Sequence, residues 1–133
     1  MPGLYSLLAF VLARRVVVSG WSMTPGLLPG DRLLFDRLAY VRDPPRIGDI
    51  VLASHPDGSG LRVVKRIAER PGGIAVSKGQ HWLIGDSPDV SIDSREFGPV
   101  NRNALLGKAW VLYWPTGRWR VLSGATDSLS HRR

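Results

Sequence analysis

The feature that most constrains the fold of this chain is a series of short apolar runs separated by glycine and proline turns. β-branched and aromatic residues recur in these runs from Val16 onward, and turn-forming segments such as residues 55–60 and 71–73 follow them. The pattern predicts an all-β sandwich or barrel with little helix. Strands are expected at residues 16–18, 32–35, 49–53, 61–67, 82–84, 107–113 and 118–122.

The first residues differ from the rest because they have the composition of a helix. Residues 4–13 are apolar except for Ser6, and Arg14 and Arg15 end the run. A helix of this length covers about 15 Å, half of a hydrocarbon core about 30 Å thick, so it is too short to span a membrane alone. We expect a short apolar helix at 1–14, packed on the domain or lying in a membrane surface. One β-rich domain is expected at 15–122, followed by a disordered basic tail at 123–133.

Composition excludes several classes of enzyme. The 133 residues include no cysteine, which rules out disulfides and thiolate catalysis, and the three histidines have no paired metal-ligand spacing. A zinc enzyme and a Ser-His-Asp hydrolase are therefore disfavoured, and we expect no metal site and no cofactor. The net charge of +7 indicates first a solvated surface and second an affinity for anionic lipid. No DNA- or RNA-binding motif is present, so nucleic acid is not an expected partner. We expect a monomer.

Ser22 stands where a stiff strand ends in a rigid turn. The run Val16-Val17-Val18 leads through Gly20 to Ser22, and Pro25 and Pro29-Gly30 fix the chain that follows. Such an arrangement lifts a hydroxyl out of a sheet, which suits a nucleophile, but it is also an ordinary way to end a strand. A serine hydroxyl attacks well only when a nearby base accepts its proton.

Lys65 is a candidate for that base. Side chains alternate across a strand, so Lys65 shares a face with the apolar residues at 61, 63 and 67, while Arg62 and Arg66 lie on the other face. Burial disfavours the charged ammonium and lowers a lysine pKa toward the range of a general base. The alternatives are a lysine that extends along the sheet to reach water, or one that protects an edge strand. Beside an exposed serine the catalytic interpretation is favoured, because Ser-Lys pairs replace Ser-His-Asp in some hydrolases.

A third segment, residues 85–100, is rich in hydroxyl and carboxylate side chains. Its aspartates at 86, 89 and 93 could hold calcium, but their spacing does not match an EF-hand loop. A supporting role is the better interpretation. A hydroxyl would accept a hydrogen bond from the lysine and so orient the lysine side chain, while an aspartate–arginine pair would fix the loop.

Short segments of the chain resemble the conserved boxes of type I signal peptidases. Each motif is weak alone, but together they occur in the family's order over residues 18–100. The resemblance implies coiled antiparallel β-sheets in a small barrel-like, signal-peptidase-type fold with one short N-terminal helix. The matching segments are Ser22-Met23-Thr24-Pro25, Gly48-Asp49-Ile50-Val51, Val64-Lys65-Arg66-Ile67, and Gly85-Asp86 through Ser91-Ile92-Asp93-Ser94-Arg95 to Gly98.

The resemblance also implies roles for individual residues. Ser22 resembles the nucleophile, with its backbone N–H as one oxyanion donor, and Lys65 resembles the general base. Ser91 would orient the lysine, and Asp93 with Arg95 would form a structural ion pair behind the two. The residues expected to position the substrate are Gly20, Met23 and Pro25.

The chain departs from the family's pattern at several points. Some members carry a hydroxyl residue two positions before the nucleophile as a second oxyanion donor, and here that residue is Gly20. Asparagine commonly follows Gly-Asp in the last box, and here Ser87 takes its place. The membrane anchor usual in the family is reduced to residues 4–13, and the large extra domain of some bacterial members has no room.

The expected function is that of a serine endopeptidase that removes an N-terminal extension from a precursor protein. The short length, the His55-Pro56 turn and Tyr113-Trp114-Pro115 resemble the maturation proteases of nickel-type superoxide dismutase, which trim an extension so that the new terminus can bind nickel. This branch implies a cytoplasmic location, or a peripheral one at the cytoplasmic membrane. Two alternatives stay open: a membrane-anchored signal peptidase that cleaves secretory signal peptides, and a non-catalytic basic β-barrel that binds a partner.

Overall fold

A computed structural model describes residues 2–122, so the tail expected to be disordered at 123–133 lies outside the described residues. Within this range the chain forms three α-helices and eight strands, joined by turns and short 3₁₀ segments. Their bounds are α1 (Pro2–Leu12), β1 (Arg14–Val17), β2 (Arg32–Asp36), α2 (Ala39–Arg42), β3 (Ile50–Ser54), β4 (Arg62–Ala68), β5 (Gln80–Ile84), α3 (Ser94–Phe97), β6 (Val100–Asn101), β7 (Leu105–Trp114) and β8 (Arg120–Val121).

The strands form one antiparallel sheet. Its order is β1-β2-β7-β3-β4-β5-β6, with β8 beside β7. Within residues 2–122 the first and last strands of this path do not pair, so the sheet is not closed. The register shifts where β7 meets β2 and β3, and irregularities of this kind bend strands. The predicted mainly β, antiparallel, signal-peptidase-type fold with a short N-terminal helix is confirmed.

The predicted strands are all present, with ends that differ by a few residues. Three further elements, α2, α3 and β6, were not predicted. Each has four residues or fewer, which is too short for a hydrophobic period to be recognised.

Two clusters of buried side chains form the core. The first includes Met23 and Leu27, from the turn that follows β1, together with Leu33, Phe35 and Leu112 of the sheet. The second lies farther along the sheet and contains Val51, Ala53, Ile67, Leu83, Val100 and Leu105. β4 contacts both, because Val64 packs against the first cluster and Val63 against the second. The turn after β1 and the lysine strand are therefore both anchored in the core.

Helix α1 ends at Leu12, two residues before the expected boundary, and Arg14 already belongs to β1. The helix touches the domain through the buried Ala9 and through Tyr5, whose hydroxyl donates to Asp36 Oδ2 at 2.7 Å. Its remaining apolar side chains are largely exposed. Within residues 2–122, no helix combines the length and the apolar character needed to cross a membrane.

Candidate active site

Ser22 lies in the turn that follows β1 and is held from two sides. Gly20 has a φ of +79°, which glycine adopts without strain, and this redirects the chain after the strand. Met23, the next residue after Ser22, is buried in the first core cluster. The Ser22 carbonyl accepts a hydrogen bond from the Ser87 N–H at 2.8 Å. Within the described range the Ser22 N–H donates to no other group, so it is free to bind a ligand.

Lys65 lies in β4 and is only 5% exposed. Its ammonium donates a hydrogen bond to Ser91 Oγ at 3.1 Å. Burial lowers the pKa of Lys65; the negative charge of Asp93 opposes this effect, and the nearby Arg95 adds to it. The amine is therefore deprotonated more readily than that of an ordinary lysine.

Behind Lys65, a fully buried carboxylate organises the loop between β5 and α3. Asp93 accepts a hydrogen bond from Ser91 Oγ at 2.6 Å and one from the Gly85 N–H at 2.8 Å. It also forms an ion pair with Arg95, whose Nη2 lies 2.7 Å from Asp93 Oδ2. Burial alone would raise the pKa of Asp93, but the hydrogen bonds from Arg95, Ser91 and Gly85 outweigh burial and hold this pKa below its usual range. The carboxylate is thus charged, and it fixes the serine that the lysine contacts.

Ser22 and Lys65 line the same cavity, which has a volume of about 400 Å³. In the part of the chain that the structure describes, no hydrogen bond joins the Ser22 hydroxyl to the Lys65 ammonium. Bonds of this kind are often long in a free enzyme and tighten when substrate binds. Of the three residues expected to position substrate, Met23 lines the cavity, whereas Gly20 and Pro25 do not. Gly20 has no side chain to present, and the turn carries Pro25 to an exposed position.

Two strand edges flank this cavity. Residues 15–18 form one wall and residues 62–65 of β4 form the other. β1 pairs only with β2, and β4 pairs with β5 only at residues 66–68, so within residues 2–122 each wall keeps one edge without a neighbouring strand. Such an edge presents N–H and C=O groups to which an extended peptide can add as a further strand.

Gly85 lies between the two halves of the site, and no local pattern in the sequence explains why this residue is a glycine. A Cβ at this position would lie 2.2 Å from Ser91 Oγ and 2.7 Å from the Ser22 carbonyl oxygen. Any larger residue would therefore displace one of them. The Gly-Asp dipeptide marks the position in the sequence, but this close approach is visible only in three dimensions.

Arg66 is a second residue whose role the sequence did not reveal. The strand alternation places it opposite Lys65, yet it is also buried, with 6% of its surface exposed. It donates two hydrogen bonds of 2.9 Å to the Asp86 carboxylate, and a third of 2.9 Å to the Gly48 carbonyl. Neighbouring residues of one strand thus hold the same loop from both faces, Arg66 through Asp86 and Lys65 through Ser91.

The site therefore combines a serine hydroxyl, a buried amine with a lowered pKa, and a free backbone N–H beside one open cavity. A serine peptidase with a lysine base needs a nucleophile, a proton acceptor and an oxyanion donor. The fold is of the signal-peptidase type, and the cavity holds one candidate for each of these three roles.

Comparison with known proteins identifies the family. The family profile described as Signal peptidase, peptidase S26, matches residues 2–74 and 68–114. The chain belongs to this family and is a signal-peptidase-like serine peptidase.

Curated relatives come from bacteria and mitochondria. Mitochondrial inner membrane protease subunit 1 of Xenopus tropicalis is 33% identical over 114 residues, which cover 75% of this chain and 68% of that protein. Mitochondrial ATP-independent inner membrane protease subunit 1a of Arabidopsis thaliana is 35% identical over 115 residues, which cover 74% of this chain and 68% of that protein. Probable signal peptidase I-1 of Synechocystis sp. is 25% identical over 158 aligned positions, which cover 90% of this chain and 81% of that protein. None of these names mentions superoxide dismutase, so that branch stays a prediction.

Proposed function

We propose that this chain is an endopeptidase in which Ser22 and Lys65 form a catalytic dyad. The observation that carries the proposal is a buried lysine with a lowered pKa in the same cavity as a serine on a rigid turn. Burying an amine costs free energy, and titratable groups in clefts whose pKa is shifted by burial are candidates for functional sites.

The reaction proceeds through an acyl-enzyme. Ser22 Oγ attacks the peptide carbonyl carbon while its proton passes to the neutral Nζ of Lys65, and the oxyanion accepts a hydrogen bond from the Ser22 N–H. Lys65 then returns the proton to the leaving amine as the C–N bond breaks. In the second half, Lys65 takes a proton from water, the hydroxide attacks the ester, and Ser22 Oγ leaves with that proton.

The loop behind the dyad sets the position of the base. Ser91 Oγ accepts from the Lys65 ammonium and donates to Asp93, so it holds the amine where the hydroxyl must deliver its proton. Asp93 and Arg95 act on this geometry only through Ser91 and the loop backbone. Gly20 provides no side-chain hydroxyl, so Ser22 is the one oxyanion donor that we assign.

For the substrate, we propose a precursor protein whose N-terminal extension binds in extended form along the free edges of β1 and β4. The resemblance of the His55-Pro56 turn and of Tyr113-Trp114-Pro115 favours the precursor of nickel-type superoxide dismutase. Cleavage of secretory signal peptides is the second candidate, supported by the relative named as a probable signal peptidase.

We place the enzyme at the periphery of the cytoplasmic membrane. Arg14 and Arg15 lie just beyond the end of α1, and an apolar helix face beside basic residues binds anionic lipid surfaces. Two relatives are named as inner membrane proteases. The apolar side chains of α1 that are more than half exposed are Leu4, Leu7, Phe10 and Val11.

Mass spectrometry of two precursors tests the activity. Purified enzyme is incubated separately with a nickel-type superoxide dismutase precursor and with a secretory preprotein, and new N-termini are mapped. We expect one new terminus in the dismutase precursor with the wild type and none with Ser22→Ala. Ser59→Ala is the matched control, because Ser59 lies in an exposed turn outside the cavity, and it should cleave like the wild type.

The other outcomes decide between the alternatives. Cleavage of the preprotein alone identifies a general signal peptidase. Equal cleavage by Ser22→Ala refutes Ser22 as the nucleophile. Peptide binding without any cleavage identifies a binding module instead of an enzyme.

A further inference from the structure

One short loop contacts both halves of the proposed dyad. At one end Ser91 receives the hydrogen bond from Lys65, and at the other end the Ser87 N–H donates to the Ser22 carbonyl. The side chain of Ser87 has no part in the mechanism described above, yet it also contacts the nucleophile turn. Its Oγ lies 2.8 Å from Thr24 Oγ1 and 3.2 Å from the Thr24 carbonyl oxygen.

The direction of these hydrogen bonds follows from counting protons. Thr24 Oγ1 also lies 2.8 Å from the Trp21 carbonyl, which can only accept. Each hydroxyl has one proton, so when Thr24 donates to Trp21, Ser87 is the donor toward Thr24 and shares its proton between Thr24 Oγ1 and the Thr24 carbonyl oxygen. The Thr24 N–H donates to the same Trp21 carbonyl at 3.1 Å. Hydrogen bonds therefore connect Ser87 to Thr24 and Thr24 to the Trp21 carbonyl, and they close the turn that contains Ser22.

We propose that Ser87 is a positioning residue that holds the Ser22 turn at a fixed position relative to Lys65. One loop would then position both the nucleophile and the base. The inference rests on the proposed dyad. Ser87 acts through two bonds on one turn, its N–H on the Ser22 carbonyl and its hydroxyl on Thr24. Gly85 in the same loop has no Cβ, so Ser91 Oγ and the Ser22 carbonyl oxygen can both lie close to it.

This role makes a kinetic prediction that a purely structural role does not. Ser87→Ala keeps the backbone bond to Ser22 and the bond from Thr24 to Trp21, but it removes both contacts of the Ser87 hydroxyl with Thr24. The turn therefore becomes more mobile while it stays in place. We expect kcat to fall about 3- to 10-fold with KM unchanged, because the lost alignment matters in the transition state. Ser87→Thr retains the hydroxyl and should restore kcat.

Thr24→Val removes the other partner of the same bond. It should also lower kcat, and the fall in the double variant Ser87→Ala/Thr24→Val should be smaller than the product of the two single effects, because both substitutions remove the same Ser87–Thr24 side-chain bond. Ser59→Ala and Thr116→Val are the matched controls, because both side chains lie in exposed turns away from the cavity. Both should retain the wild-type kcat.

The experiment measures kcat, KM and the pH dependence of kcat for these variants, with a peptide that spans the cleavage site mapped in the precursor. The midpoint of the pH profile reports Lys65, so it should not move in Ser87→Ala but should move in Ser91→Ala. A wild-type kcat in Ser87→Ala, with Ser22-dependent cleavage intact, overturns the inference and leaves the dyad standing. A shifted pH midpoint in Ser87→Ala also overturns it, because Ser87 would then act on the lysine.

Amide hydrogen exchange tests the same contact without depending on catalysis. The Thr24 N–H should exchange about 3- to 10-fold faster in Ser87→Ala than in the wild type, while the Leu83 N–H, bonded to Ser94 Oγ, should not change. Unchanged exchange at Thr24 refutes the contact's role whether or not the peptide is cleaved. Absence of Ser22-dependent cleavage refutes the dyad, and with it the inference.

Discussion

Replacing Asp93 with alanine tests how the loop behind the dyad is held. Asp93 is fully buried and accepts hydrogen bonds from the Gly85 N–H and from Ser91 Oγ. It accepts three more from the backbone N–H, Nε and Nη2 of Arg95. Since no other residue in the site holds so many donors, its removal should weaken the fold as well as the reaction.

The expected loss of stability follows from the groups that Asp93→Ala leaves without a hydrogen-bond partner. The Gly85 N–H would remain buried and unpaired, which costs about 1–3 kcal/mol. Breaking a fully buried ion pair costs about 3–5 kcal/mol, but the Arg95 side chain is 36% exposed and water can replace part of its pairing. We therefore expect Asp93→Ala to lower the free energy of unfolding by about 2–4 kcal/mol, and Tm by roughly 6–16 °C for a domain of this size.

The effect should depend on pH in a defined direction. The pKa of Asp93 is lower in the folded protein than in the unfolded chain, so its contribution is complete above the ordinary aspartate value of about 3.9. The contribution is lost as pH falls through the lowered value. The difference in unfolding free energy between wild type and Asp93→Ala should thus be constant from about pH 7 to 5 and shrink below about pH 4.

Thermal and urea unfolding of both proteins measure these quantities. Asp57→Ala is the matched control, because Asp57 pairs with His55 in an exposed turn and its side chain is 50% exposed. The control should change Tm by no more than a few degrees. An Asp93→Ala protein as stable as Asp57→Ala, or a difference that persists unchanged at low pH, would refute the structural ion pair.

Three further predictions concern the base and the membrane. Lys65→Met should raise the free energy of unfolding by about 1–3 kcal/mol at neutral pH, because it removes a buried amine, and the gain should shrink as pH rises toward the ordinary lysine pKa. The cleavage rate should rise with pH to a midpoint below about 10.4, the ordinary lysine pKa, and Ser91→Ala should move this midpoint lower because the ammonium loses its acceptor. In vesicle sedimentation the protein should bind anionic but not neutral lipid and dissociate as salt is raised, and Leu7→Ser/Val11→Ser should bind more weakly.

Each of these predictions has a result that contradicts it. A Lys65→Met protein less stable than the wild type would mean that burial of the amine is not costly. A midpoint at or above the ordinary lysine pKa would remove Lys65 as the titrating base. Binding that survives high salt, or that falls equally in the control variant Val90→Ser, whose exposed side chain lies outside α1, would exclude surface attachment through this helix.

The sequence predicted those features that depend on local pattern. Alternation along β4 is enough to turn Lys65 toward the apolar side, and burial in the structure agrees with it. The same argument placed Arg66 on the opposite face, but it could not show that this face is covered too, by the loop that carries Asp86. Alternation separates the two faces of a strand without saying which of them meets water.

Contacts between distant segments could not be predicted in this way. Thr24 and Ser87 are 63 residues apart, and their hydrogen bond depends on how the turn after β1 meets the loop after β5. The need for glycine at position 85 has the same origin, because two separate segments converge on its Cα. Composition and periodicity describe single elements, while these contacts arise from their packing.

The most direct test of the Ser22–Lys65 dyad is the cleavage rate of Lys65→Arg on the mapped precursor peptide. Arginine keeps the positive charge and much of the length of lysine, but guanidinium does not deprotonate in proteins and cannot accept the serine proton. The matched control is Lys78→Arg at an exposed position, which should cleave at the wild-type rate. We predict no measurable turnover by Lys65→Arg while its folded state, monitored by circular dichroism, is retained. Substantial turnover by a folded Lys65→Arg protein would show that another group is the base and would contradict the proposed mechanism.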